Sequence, residues 1–114
     1  HMNYYLIRVG EGNCVYCNGA QESIENYLLA GSDDSIEVVD LENLTLEEQE
    51  DLMTIAETQD PDYVGQVEID PSHKLTRAKI PNMRLTPQLF THNDNGENWV
   101  YVGGLEKITE ACGL

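Results

Sequence analysis

Hydrophobic and polar positions along the chain fall into short periodic stretches separated by breakers. Asn3-Tyr4-Tyr5-Leu6-Ile7-Arg8-Val9 gathers aromatic and branched side chains and stops at Gly10 and Gly12, the pattern of a short buried strand feeding a loop. From Val15 to Ala30 the apolar positions Cys17, Ala20, Ile24, Tyr27 and Leu28 are spaced to share one helical face, on a helix that begins at Asn13 or Cys14. Gly31 is placed to cap its C-terminus. Gly19 weakens the first turns by about 1 kcal/mol relative to Ala, so a reason other than propensity is expected for it.

Ser35–Leu41 alternates and carries branched residues, as a second strand does. Thr45 followed by Glu48 has the form of a capping box, and the helix it opens continues through Leu52, Ile55 and Ala56. Strand, helix, strand, helix in this order predicts a parallel βαβ unit with a right-handed crossover. Residues 59–84 are less regular, broken by Asp60-Pro61-Asp62, Asp70-Pro71-Ser72 and Ile80-Pro81-Asn82, with a short strand expected within Tyr63–Ile69. Regularity returns with a strand over Gln88–His92, a two-residue hairpin signal at Asn95-Gly96 and a returning strand over Trp99–Val102. Gly103-Gly104 then precedes a closing helix, Leu105–Cys112, with Leu105, Ile108 and Cys112 on one side.

Composition narrows this picture. His1-Met2 reads as a tag remnant plus the initiator methionine, so His1 is left out of the fold. The rest, 3–114, has the length of one domain with an irregular excursion at 59–84. Hydrophobic residues make up 40%, enough for a packed core, and no apolar run approaches a membrane span. The N-terminus lacks the basic and apolar stretches of a signal peptide, so a cytoplasmic protein is expected.

The net charge of -15 disfavours nucleic acid, because a polyanion is repelled. It is also uneven. Residues 1–63 hold 15 acids and one base, Arg8, whereas residues 64–114 hold six acids and five bases. An acidic surface aids solvation and can steer toward a basic partner.

Two of the three cysteines, Cys14 and Cys17, form a CxxC at the expected start of the first helix. There a thiolate meets unsatisfied backbone N–H groups and the positive end of the helix dipole, which lowers a thiol pKa from about 8.5 into the range of about 3.5–7.5. Cys17 lies nearly one turn further and more buried. That spacing suits a dithiol whose outer sulfur attacks a disulfide and whose inner sulfur resolves it. A zinc site needs two more ligands, from His73, His92 or Cys112, none of which has a paired second half. Two unremarkable thiols are the remaining reading.

Three motifs carry a resemblance to the glutaredoxins, within the thioredoxin fold. Cys14-Val15-Tyr16-Cys17 is similar to the family's CPYC, and CVYC resembles the phage-encoded members. Thr86-Pro87-Gln88-Leu89-Phe90 resembles the T-V-P-x-x-F segment with its cis-proline, and Gly103-Gly104-Leu105-Glu106 the double glycine that opens the last helix. The resemblance spans 3–58 and 85–114. It implies an α/β thioredoxin-like fold, with a mixed sheet of four or five strands flanked by helices. It also implies thiol–disulfide exchange with Cys14 as nucleophile and Cys17 as resolving thiol.

Substrate or glutathione contacts are then expected at Tyr16, Thr86, Pro87, Gly103, Gly104, Leu105 and Glu106. No tightly bound cofactor or metal is expected. Glutathione is the implied co-substrate, and a disulfide-bearing protein, such as a ribonucleotide reductase, the implied acceptor. Nucleic acid and membrane are excluded as partners.

Where the family often has Lys three residues before the first Cys, this chain has Glu11, and where a second acid often follows the double glycine it has Lys107. Lys79 and Arg84, nearest the Thr86-Pro87 turn, are therefore assigned the positive charge near Cys14, with Arg8 set aside because it lies within a strand. The alternatives are a thioredoxin reduced by a flavoprotein, disfavoured by Asn13 where that family has Trp, and a non-catalytic module with a zinc or structural CxxC.

Overall fold

A computed structural model describes residues 2–9, 14–63, 66–68, 79–81, 86–93 and 95–114. The chain forms an α/β structure in which a four-stranded mixed sheet is flanked by three α-helices. Strand β1 (Asn3–Arg8) lies between β2 (Ser35–Asp40), to which it runs parallel, and β5 (Gln88–His92), to which it runs antiparallel; β6 (Val100–Gly103) pairs antiparallel with β5. The sheet order is thus β2-β1-β5-β6. Within the excursion, β3 (Gln66–Glu68) and β4 (Lys79–Pro81) form a separate antiparallel ladder. Of the short strand expected over Tyr63–Ile69, β3 covers Gln66–Glu68.

Side chains of successive strand residues point to opposite faces, and β1 uses both. Tyr4 and Leu6 join Leu89 with Ala20, Ile24 and Ile108, which come from α1 (Val15–Ser23), its continuation and α3 (Leu105–Ala111). Ile7 and half-buried Tyr5 face the other way, onto Phe90 and onto Leu52, Met53 and Ala56 of α2 (Leu46–Gln59). Helix α2 starts as its sequence dictates. Thr45 Oγ1 accepts the Glu48 N–H at 3.1 Å and Glu48 Oε1 accepts the Thr45 N–H at 3.0 Å, a reciprocal capping box.

The first helix departs from the expected winding. After Ser23 it widens into a π-helical turn, Ile24–Leu28, in which the Leu29 N–H reaches the Ile24 carbonyl at 3.0 Å, an i→i+5 bond. The wider turn changes the facing of the residues after it. Leu28 and Leu29 pack on the core, while Tyr27, expected on the buried face, is exposed. Gly31 ends the segment at φ +70, where a side chain is disfavoured. No neighbouring atom explains Gly19: a Cβ there meets nothing within 4 Å.

The β5–β6 connection is also wider than two residues, because Thr91 pairs with Val100. Asn93 organises it, its Oδ1 accepting the N–H groups of Asn95 at 3.2 Å and Glu97 at 2.7 Å, while Trp99 Nε1 donates to the Gly96 carbonyl at 2.9 Å. On α3, Ile108 is buried and Cys112 packs beside it, but Leu105 is exposed rather than sharing their side.

Edge-to-face rings join Tyr5 to Trp99 and Trp99 to Phe90, and Phe90 tilts against Tyr101, which meets Tyr63 edge-on. Burial pushes the Tyr63 phenol up to about 12, with Glu57 adding to the shift, and raises Tyr101 further. A raised phenol favours the folded state fully below its unfolded value of about 10, and that contribution disappears as pH rises through the folded value. Thermal stability is therefore expected to fall between about pH 10 and 12, in step with phenolate absorbance. Melting curves recorded across that range check this. In the first helix, Gly19→Ala is expected to raise unfolding stability by about 1 kcal/mol, read from denaturant midpoints.

Candidate functional site

Topology alone brings the three motifs to one end of the sheet. Strand β1 ends at Arg8 and leads into the segment before Cys14. In the antiparallel register Ile7 pairs with Gln88, so the Thr86-Pro87 segment enters β5 at that same end. Leu89 pairs with Gly103, so β6 leaves for α3 there too. A Cβ on Gly104 would lie 3.6 Å from the Pro87 carbonyl oxygen, which puts the double glycine directly against the proline. The Thr86-Pro87 peptide bond is cis.

Cys14 is the N-cap of α1, in an extended conformation at φ -138 and ψ 99. Its Sγ accepts the backbone N–H of Cys17 at 3.1 Å, the role a Ser or Asp oxygen fills in an ordinary cap. The Asn18 N–H bonds the Cys14 carbonyl at 3.1 Å and closes the first turn. Cys14 is partly accessible and Cys17 fully buried; the two are joined as a disulfide with Cα atoms 5.2 Å apart. A backbone N–H in that position is a stronger partner for a charged sulfur than for a neutral one.

Beside Cys14, Val15 and Tyr16 are 82% and 67% exposed, so the first turn offers apolar surface to whatever approaches the sulfur. A cleft of about 720 Å³ opens at the start of α3, lined by Asp60, Asp62, Tyr101, Gly104, Glu106 and Lys107 among others, with Leu105 at its edge. Lys107 is tied to Glu110 at 3.4 Å. The Tyr101 hydroxyl donates a very short hydrogen bond to Gln88 Oε1, which fixes the wall between this cleft and β5.

The expected cations, Arg84 and the Lys79 side chain, lie outside the described residues, as do Glu11, Asn13 and His73. Arg8, set aside from the sequence, is 5% exposed and reaches from β1 to α1, donating to Gln21 Oε1 at 2.8 Å and to Asn18 Oδ1. A lone base among acids at the end of a strand is the sequence signal that points to it. His92 has neighbours the sequence did not name: its ring lies 4.5 Å from that of Trp99, and its Nδ1 is 2.6 Å from the Asn93 carbonyl oxygen. Burial pushes the Cys112 thiol up, as for a small packed side chain. Among the described residues no three His, Cys, Asp or Glu side chains converge as a metal site, and no helix is long and apolar enough to cross a membrane.

Compared with models of protein families, with curated proteins and with solved structures, the chain matches none.

Gly103 is the stiffest requirement of the site. It sits at φ +140, and a Cβ there would lie 2.5 Å from Lys107 Cβ. Gly103→Ala is expected to destabilise by more than about 1 kcal/mol, since a positive-φ strain is added to the clash. Gly104→Ala meets only ordinary contacts and is expected to unfold near the parent midpoint. Denaturant unfolding of the two variants checks the contrast.

Proposed function

We propose that the chain is a dithiol–disulfide oxidoreductase of glutaredoxin type on a thioredoxin-like fold. The observation that carries this reading is the arrangement of the cysteines: an accessible sulfur capping a helix and bonded to a buried sulfur in the next turn. The sheet order β2-β1-β5-β6, the helices on both faces, and the cis Thr86-Pro87 bond at the same end support the fold assignment.

In the reduced protein, the Cys14 thiolate attacks the nearer sulfur of a substrate disulfide. A Cys14–substrate mixed disulfide forms and the first substrate thiolate leaves. The Cys17 sulfur, as thiolate, then attacks Cys14 Sγ and displaces the second substrate thiolate. Two electrons have passed to the substrate, and the protein holds the Cys14–Cys17 disulfide. Two glutathione molecules reopen it by the same exchange in reverse and leave as glutathione disulfide.

Tyr16 and Val15 form the rim against which the substrate rests, and the backbone at Thr86 and Gly104 lines its approach. Asp60, Asp62 and Glu106 in the α3 cleft suit an ammonium group of the bound thiol compound. Lys79 and Arg84 remain candidates for its carboxylates. A protein disulfide such as that of a ribonucleotide reductase is the acceptor the resemblance favours, and a cytoplasmic setting accords with a reductive role.

Cys14→Ser is expected to abolish turnover with every disulfide substrate. Cys17→Ser is expected to retain exchange with glutathione mixed disulfides and to lose reduction of protein disulfides, which needs the second thiol. Turnover coupled to glutathione and its reductase tests this, with a thioredoxin reductase run in parallel. Turnover only with the latter selects the thioredoxin reading. Turnover with neither, together with Cys14 alkylation no faster than that of free cysteine, overturns both.

A further inference from the structure

Arg8 is the only base among the first 63 residues, and it is buried. Its guanidinium is held by neutral groups: Gln21 Oε1, Asn18 Oδ1 and, through Nε, the Val9 carbonyl at 3.2 Å. Among the described residues it makes no ion pair. A buried cation held by neutral hydrogen-bond partners is costly, which points to a role for the charge itself.

Helix α1 links the guanidinium to the cysteine turn. Asn18 and Gln21, three residues apart, share one face of α1, and Cys14 is the N-cap one turn before Asn18. Asn18 also bonds the Cys14 carbonyl through its own N–H.

We propose that Arg8 is a positioning residue for the Cys14–Cys17 pair, a fixed positive charge beneath α1 that favours the Cys14 thiolate and holds the first turns of the helix against β1. This rests on the dithiol reading above.

The other charges around it act in known directions. Asp40, in register with Arg8 on β2, shares with it a cleft of about 490 Å³ and opposes the thiolate. Glu22 and Glu25 flank a second cavity of about 210 Å³ beside Arg8 and also oppose it. Helix α3, packed on α1, contributes Glu106 and Lys107 at its start, both exposed. Arg8 prevails because it is buried, where its field is less screened than those of the exposed groups.

The test is the pH dependence of Cys14 alkylation in the reduced full chain, in a Cys17→Ser, Cys112→Ser background. Arg8→Gln is expected to move the midpoint upward by about one pH unit, several-fold slower alkylation at neutral pH, on the scale of a single nearby charge. Arg8→Lys is expected to stay near the parent.

An unchanged midpoint in a folded Arg8→Gln variant overturns the proposal. If that variant does not fold, Asn18→Leu, at an exposed position, removes the guanidinium's partner nearest the cysteine turn while Gln21 still holds it, and is expected to shift the midpoint upward; no shift overturns the proposal equally. Because the readout is alkylation rather than turnover, an Arg8-dependent midpoint in a protein that reduces no disulfide leaves this inference standing while the oxidoreductase reading fails.

Discussion

The burial of β1 on both faces is the constraint on which the remaining architecture depends. A strand covered on one side leaves half of its side chains free to be polar. Here Leu6 and Ile7, adjacent in sequence and opposite in direction, are both fully buried, so each face needs its own cover. Helices α1 and α3 meet one demand and α2 the other. Once β1 is central, a parallel neighbour on one side and an antiparallel one on the other decide where its C-terminal end points. That end receives the start of β5 and the exit of β6, the two backbone segments that carry Thr86-Pro87 and Gly103-Gly104. Cys14, a few residues beyond Arg8, arrives among them as a consequence of chain direction.

Local signals are readable wherever one residue type has one physical use. Thr45 and Glu48 form their box because both partners lie within one helical turn. The strand β5 has the bounds its side-chain pattern implies. Longer-range phase is not readable. A 3.6-residue period predicts Tyr27 inside, and only the i→i+5 bond at Ile24 turns it outward and brings Leu29 in. Asn95-Gly96 has the composition of a tight turn, yet the Asn93 side chain bonds two further N–H groups and makes a wider loop preferable. Arg8 escapes sequence reasoning for a related cause: strand position says which face a side chain leaves from, not that two amides on a helix wait to receive it.

Sheet edges explain a further pairing. Among the described residues strand β6 is an edge of the sheet, a position that leaves backbone groups in need of partners. Gln59, at the end of α2, covers part of it with a side-chain amide. Its Nε2 donates to the Trp99 carbonyl at 2.9 Å, and its Oε1 accepts the Tyr101 N–H at 2.8 Å. The amide thus stands in for one residue of a neighbouring strand. This contact anchors the end of α2 beside the cleft at α3, where Asp60 and Asp62 come directly after it in the chain.

The acidity of the chain and the chemistry assigned to Cys14 pull in opposite directions, and distance decides between them. The carboxylates on the outer side of α2, including Glu47, Glu50 and Glu57, are exposed. Exposed charges are screened within about 8–10 Å at ordinary ionic strength. A hydrogen bond from the Cys17 N–H at 3.1 Å acts well inside that length. On the proposed dithiol reading, the reactivity of the sulfur answers to the groups of the first turn of α1, while the acidic exterior acts on approach, repelling small anions and attracting a disulfide carried on a basic surface.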